Sequence, residues 1–260
     1  MRWNRAGNNV NKIKQTLEKA LIEAGTVLKR AMDRPKQISY KGPVSLVTET
    51  DGKIERLIIN IIHRNFPNHS ILAEESLPQG NSSSKWIIDP IDGTTNFAHG
   101  LPLASISIAY EENGVLNPFY NEWFWAEKNK GASLNGKKIR VSKNKTLKTS
   151  LLVTGFPYDR YKRADYYVSI FKAFMGKSHG IRRLGSAALD LCHVACGRFD
   201  GYWEFNLQPW DQAAGALIAK EAGAHLSDFR GNPFTIYGNQ TLATNGKVHG
   251  EMLRILKKHL

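Results

Sequence analysis

Acidic residues set beside glycine and threonine are the chemically loaded part of this sequence. The segment Asp89-Pro90-Ile91-Asp92-Gly93-Thr94 places two carboxylates three apart around a rigid proline. Such a pair can converge on one hard cation or bridge two, and the Ile91 carbonyl between them can add an oxygen ligand. Gly93 permits close approach of the backbone. The stretch Gly93-Thr94-Thr95-Asn96 reads as a turn entering a helix, where N–H groups bind phosphate oxygens. Three other places hold acids that can join this site: Glu74-Glu75 after an apolar run, Asp211 after Pro209-Trp210 at a helix start, and Asp51 at the start of another helix. Singly, each has a plainer reading. Asp51 and Asp211 suit helix N-caps, Glu74 and Glu75 a solvated loop, Asp89 and Asp92 a turn. Only the Asp89–Asp92 pair outweighs its plainer reading alone. Together, at the ends of buried strands, the acids favour a metal site beside a phosphate cradle. Phosphate ester hydrolysis needs that pairing, a metal to activate water and charge to stabilise the phosphoryl transition state.

Elements of both periods must position these residues. Val10, Ile13, Leu17, Leu21, Ala24, Leu28 and Ala31 recur at helical steps. A second helix is expected over 51–66, with Ile54, Leu57, Ile58, Ile61 and Ile62 inward. Short apolar runs at 70–73 and 86–88 read as buried strands that end in Glu74 and Asp89. Residues 103–110 alternate, Ile106, Ile108 and Tyr110 opposite Ser105, Ser107 and Ala109. Strands at 115–120 and 122–126 follow, with Asn113-Gly114 as the first turn and Asn135-Gly136 as a later hairpin turn. Beyond the lysine-rich link 142–149, strands are expected at 151–154, 180–183, 199–204, 224–227 and 241–244, and helices at 163–175, 186–196, 211–222 and 248–258. The class is α/β or α+β with layered helices and sheets. Residues 1–145 form an N-terminal α+β lobe with most of the acids, and residues 146–260 a C-terminal α/β lobe with Asp211.

The chain of 260 residues is 42% hydrophobic and 23% charged, enough for a sizeable core and unlike a disordered chain. Its net charge of +13 gathers partly at Lys137, Lys138, Arg140, Lys143, Lys145 and Lys148. A nucleic-acid or acidic-protein partner would explain that charge, but a solvated basic surface that draws in anionic substrates explains it with less. No zinc-finger spacing or RNP-like aromatic motif accompanies it. Cys192 and Cys196 lie four apart in an apolar helical pattern, as small core residues and not as a redox pair. The start of the chain lacks an apolar leader, and the apolar stretch at 57–62 is too short to span a bilayer. A cytoplasmic protein without membrane contact is expected.

At these motifs the sequence resembles the inositol monophosphatase family of magnesium-dependent, lithium-sensitive phosphatases. Trp86-Ile87-Ile88-Asp89-Pro90-Ile91-Asp92-Gly93-Thr94-Thr95-Asn96-Phe97 is similar to the family's first signature, and Trp210-Asp211-Gln212-Ala213-Ala214-Gly215 to its second. Ala73-Glu74-Glu75-Ser76, Gly131-Ala132-Ser133-Leu134-Asn135-Gly136 and Gly185-Ser186-Ala187-Ala188 match too, and the likeness runs from about residue 13 to the end. The resemblance implies a layered αβαβα sandwich of the sugar-phosphatase type and a homodimer. It implies two or three Mg²⁺ ions, one held by Glu74, Asp89 and the Ile91 carbonyl, a second by Asp89, Asp92 and Asp211, and a third, weaker one by Glu74 through water. The nucleophile implied is a metal-bound water oriented by Glu74 and the Thr94 hydroxyl, with Asp51 supporting Thr94 and no phosphoenzyme. A water on the second metal would protonate the leaving alkoxide. Gly93 and Thr94 N–H groups would hold the phosphate. Asp92, Gly185, Ser186, Ala187 and Glu204 would face the inositol hydroxyls, a carboxylate such as Glu204 being able to accept two of them.

The sequence departs from the family pattern at Ser45, where many relatives carry an acid, and between 156 and 174; Lys41 stands where relatives often have a basic residue. The substrate implied is myo-inositol 1-phosphate. Alternatives are fructose 1,6-bisphosphate, with Arg182-Arg183 as a second phosphate pocket, or another sugar, polyol, histidinol or nucleotide phosphate. Glu204 without the resemblance reads as an exposed strand-end acid. A different class remains open. The stretches 182–191 and 208–211 resemble a bacterial member that joins transcription antitermination complexes with RNA polymerase. Retention of all the metal positions implies that catalysis persists in either case.

Overall fold

The computed structural model describes residues 3–40, 46–110 and 112–260. Lys41 and the segment from Pro43 to Ser45 lie outside the described residues. Helix α1 (Trp3–Ala31) is followed by a small hairpin, β1 (Ile38–Tyr40) and β2 (Leu46–Thr48), and then α2 (Glu49–Asn65). Next come β3 (Ser70–Ala73), β4 (Lys85–Asp92), the short α3 (Thr94–Ala98), β5 (Ser105–Ala109), β6 (Glu112–Asn117), β7 (Glu122–Glu127), β8 (Gly131–Leu134) and β9 (Lys137–Lys138). The rest is β10 (Leu151–Thr154), α4 (Arg160–Met175), β11 (Gly180–Arg182), α5 (Ala187–Ala195), β12 (Gly201–Phe205), α6 (Pro209–Glu221), β13 (His225–Ser227), β14 (Gln240–Thr244) and α7 (His249–Leu256).

Strands β3 to β9 form a seven-stranded sheet in chain order, antiparallel except for the parallel pair β3–β4. The second sheet has five strands in the order β11-β10-β12-β14-β13, parallel at β11-β10-β12 and antiparallel beyond. Five layers result, as the layered α+β class requires. Helices α1 and α2 cover one face of the larger sheet, α5 and α6 lie between the two sheets, and α4 and α7 cover the far face of the smaller one. Leu17, Leu21, Ala24 and Leu28 of α1 pack with Ile54, Ile58 and Ile62 of α2, all fully buried. Each such leucine or isoleucine contributes roughly 1.5–3 kcal/mol on burial.

Several expected boundaries shift, each for a physical reason. Asn113-Gly114 is no turn; both residues lie inside β6, paired with β5 and β7. A Cβ at Gly114 would come within 2.6 Å of Leu21 and 2.8 Å of Leu17, so this glycine lets α1 sit close on the sheet. The strand expected to reach residue 120 ends at Asn117. Strand β5 is buried at every position, its serines included, because helices cover both faces of its sheet. Asn135-Gly136 does turn the β8–β9 hairpin, both residues with positive φ. The helix N-caps are Thr48 and Gln208, while Asp51 and Asp211 stand at the third helical position. Cys192 is buried, Cys196 is half-buried at the end of α5, and both are free.

Candidate active site

Strand β4 runs past Asp89 to Asp92 instead of stopping at the first acid. Its register against β5 shifts there, Asp89 opposing Ser107 and Asp92 opposing Ser105. Residues three apart on a regular strand face opposite sides. The extra residue of the irregularity brings Asp92 back to the side of Asp89, and Pro90 tolerates the break because it has no N–H to lose. Asp89 accepts the Ile91 N–H at 3.0 Å, and the Ile91 carbonyl accepts the Thr94 hydroxyl at 2.8 Å.

Gly93 sits at the N-cap of α3 with φ of 95°. A Cβ there would lie 2.8 Å from the Leu103 carbonyl oxygen and 3.1 Å from that of Gly185, so only glycine fits. Asn96, one turn on, donates to the Leu103 carbonyl at 2.7 Å and to the Leu184 carbonyl at 2.6 Å, which ties α3 to the turn before α5. Behind Thr94 lies the fully buried Asp51. It accepts the Thr94 hydroxyl at 3.3 Å and the Thr48 N–H and hydroxyl at 2.8 and 2.5 Å. Burial lifts Asp51 to about 6 against the pull of Thr48.

Asp92 joins β4 of the larger sheet to the middle layer of helices. It accepts the Ser186 hydroxyl at 2.5 Å, the Ala188 N–H at 2.7 Å and the Ala187 N–H at 3.2 Å, all at the start of α5. An anion there meets the positive end of the helix. Its carboxyl is pushed up to about 6 by burial, opposed by these donors. Asp211 accepts the Gln208 N–H at 2.7 Å. Glu74 follows β3 and donates its N–H to the Ile88 carbonyl at 3.3 Å.

These acids repel one another. Asp89 is held well above the usual carboxylate range by burial, then by Glu74, Asp92 and Asp211, and it shares a hydrogen bond with Glu74. Asp211 is raised by burial, then Asp92, Glu74 and Glu204. Among the described residues no three acid, histidine or cysteine side chains close into a ready-made metal cage; Glu74, Asp89, Asp92 and Asp211 share a field and not yet a single point. Asp89, Asp92 and Asp211, raised for want of countercharge, and Glu74 beside them are all hard oxygen donors and fit a divalent cation of the magnesium type.

A cavity of about 340 Å³ opens beside them. Asp92, Gly93, Thr94 and Asp211 line it, as do Gly185, Ser186, Ala187 and Glu204. Glu204 is 8% exposed, not the exposed strand-end acid that residue type alone suggests. Burial lifts it to about 7, while the Tyr202 hydroxyl, which donates to it at 2.6 Å, and Arg183 pull it down. The sequence reading missed three contributors. Arg160 and Tyr158 line the cavity, and Gly155 presses against Glu204. The signal for them was Gly155-Phe156-Pro157-Tyr158 directly after a strand. Of Arg182-Arg183, only Arg183 lines the cavity; Arg182 donates to the Ile181 carbonyl at 3.1 Å.

Layered sheets with acids gathered at the ends and bends of their strands suit chemistry on a phosphate ester, and the comparisons with known proteins make the chain a phosphoric monoester hydrolase. The model of the inositol monophosphatase family matches residues 9–260, and the chain belongs to that family. It is 45% identical over 246 residues to the inositol-1-monophosphatase of Synechocystis, covering 91% of this chain and 86% of the relative. It is 40% identical to the Nus factor SuhB of Pseudomonas aeruginosa, over 93% of this chain and 94% of that one. The solved inositol monophosphatase of Anabaena superposes with a TM-score of 0.87 at 39% identity, covering 96% of this chain and 97% of the other. The family is generally metal-dependent. No helix among the described residues is long and apolar enough to cross a membrane.

Proposed function

We propose that the chain hydrolyses the phosphate monoester of a small polyol, myo-inositol 1-phosphate foremost, with magnesium as its cation. One observation carries the reading. Asp92 and Asp211, two of the four mutually repelling carboxylates, and the buried carboxylate Glu204 line one cavity. The pair suits cations and a phosphoryl group, Glu204 a polyol's hydroxyls. Glu74, Asp89, the Ile91 carbonyl, Asp92 and Asp211 would hold two or three Mg²⁺. When bound, the ions supply Lewis-acid activation of a water and neutralise phosphoryl charge. Glu74 and the Thr94 hydroxyl orient the attacking water, and Asp51 holds that hydroxyl from behind. Gly93 and Thr94 N–H groups hold the phosphate. Asp92, Gly185, Ser186, Ala187 and Glu204 hold the alcohol. Lithium inhibition, a homodimer, a cytoplasmic setting and lobes divided near residue 145 belong to the same reading.

The test is phosphate release with Mg²⁺ from inositol, fructose, histidinol and nucleotide phosphates, with Glu74→Gln as control. Inositol phosphate is expected to turn over best. Fructose 1,6-bisphosphate should come next, because Arg160 and Arg183 line the same cavity. Loss of the water-orienting group should lower kcat by about 10²–10⁴-fold; full activity in Glu74→Gln sinks the assignment. A second role in transcription is supported by the likeness to a Nus factor. Its test is pull-down of RNA polymerase at physiological salt, where failure removes the role and leaves the hydrolase intact.

A further inference from the structure

The connection between β10 and α4, residues 155–159, forms part of the cavity wall and has no role in the reading above. It leaves the C-terminal end of β10, whose neighbours β11 and β12 run parallel to it. Crevices outside such strand ends are where open α/β sheets take ligands. Both ends of the connection are held. At one end Gly155 lies flush against the Glu204 carboxylate. At the other, Asp159 accepts the Tyr167 hydroxyl at 2.8 Å, and Arg160 donates its N–H to the Pro157 carbonyl at 3.1 Å. Pro157 is buried, with φ set by its ring. The residue presented by this tethered backbone is Tyr158.

Tyr158 is 59% exposed and still lines the cavity. Burial raises its pKa first, then Asp211, Glu74, Asp89 and Asp92 in turn. These four acids are the ones gathered for cations, and Gly93, Thr94 and Asp211 line the same cavity as Tyr158. Among the described residues no protein group accepts its hydrogen. A phenol held this way stays protonated and is a neutral donor that joins Arg160 and Arg183 in the cavity wall.

We propose that Tyr158 is a further substrate-binding residue, its hydroxyl donating a hydrogen bond to a phosphoryl oxygen of the bound ester while its ring covers the cavity mouth. This rests on the phosphatase reading above. The experiment compares the parent chain with Tyr158→Phe and Tyr158→Ala in the presence of Mg²⁺. Affinity for inorganic phosphate is read directly by ³¹P line broadening. KM and kcat are read with inositol 1-phosphate and with p-nitrophenyl phosphate. In Tyr158→Phe, phosphate affinity falls and KM rises by about tenfold, the loss of one hydrogen bond to a charged group. Both esters suffer alike, because the Glu204 side is untouched, and the melting temperature does not move. Tyr158→Ala, which also loses the ring, is worse on both measures. Phosphate affinity in Tyr158→Phe equal to that of the parent overturns the proposal and leaves the phosphatase reading standing. A parent chain that neither binds phosphate nor hydrolyses either ester with Mg²⁺ overturns both.

Discussion

Gly155→Ala is a substitution of one methyl group that should act on the substrate's alcohol and not on its phosphate. A Cβ at residue 155 would stand 2.0 Å from Glu204 Oε1 and 2.2 Å from both Cδ and Oε2. Ordinary van der Waals contact begins near 3.4 Å, so the carboxylate has to retreat by more than an ångström. It is buried and bonded to the Tyr202 hydroxyl at 2.6 Å, so no movement leaves it both placed and paired. Losing one charge-assisted hydrogen bond to a substrate hydroxyl is worth about 1.5–3 kcal/mol, or about 10- to 150-fold in kcat/KM. The assay compares inositol 1-phosphate with p-nitrophenyl phosphate, which has no polyol, at pH 8.5. Glu204 titrates at about 7 in the fold and is ionised at that pH. The drop should appear with the first ester and be small with the second. Adding Glu204→Ala to the variant should bring little further loss, since both act on one contact. Equal losses on both esters, or none on either, would refute the placing of Glu204 at the polyol end.

Three further outcomes are expected. Gly93→Ala forces a side chain into left-handed backbone and against the Leu103 carbonyl; it should lower stability by about 1–3 kcal/mol in thermal melts, and an unchanged Tm counts against the geometry at the start of α3. Asp92→Asn should lose more than activity, because an amide nitrogen would have to face one of the donors from Ser186, Ala187 or Ala188. A loss of about 2 kcal/mol, or roughly 5 °C in Tm, is expected, so an unaltered melt would mean that Asp92 does not anchor α5. Acid should weaken the fold through His193 and His249, both pushed down to about 4, chiefly by burial. Unfolded, each takes up a proton below about pH 6.5, and folded, only near pH 4. The share of stability that these two histidines contribute at neutral pH is therefore lost as pH falls from 6.5 to 4, against the opposite effect of Asp51, Asp92 and Glu204, whose raised carboxyls gain stability on protonation. The histidine share is read by difference: from pH 7 to pH 5 the urea midpoint of the parent should fall relative to that of His249→Asn, and a constant difference refutes it.

Asp89 and Asp92 were legible as a candidate pair because proline, glycine and threonine surround them. The strand at 151–154 was legible as a short apolar run, and the helix expected from 186 starts at Ala187, with Ser186 as its N-cap. What the residues did not reveal was set by partners distant in sequence. Nothing local says that the oxygens of Asp92 meet the start of α5, more than ninety residues on. The register shift that turns Asp92 to the side of Asp89 depends on β5. Glycine serves turns and close packing alike, so Gly114 looked like a turn until α1 was seen lying on it. Polar alternation in β5 suggested an open face, but the middle helices bury its serines. Asp51 and Asp211 differ from N-caps by a backbone position, which composition does not encode.

The middle layer of helices also sets when this chemistry becomes available during synthesis. Helices α5 and α6 come late in the chain, yet they cover one face of a sheet whose strands are all made first. A nascent chain that has emerged only through β9 carries Asp89 and Asp92 on a sheet with one apolar face bare, an invitation to chaperones and to aggregation. It lacks Asp211, the anchor for Asp92 at the start of α5, and Glu204. On the proposed assignment of these residues, catalytic competence arrives only when most of the polypeptide has left the ribosome, and products that stop short of α6 should release no phosphate.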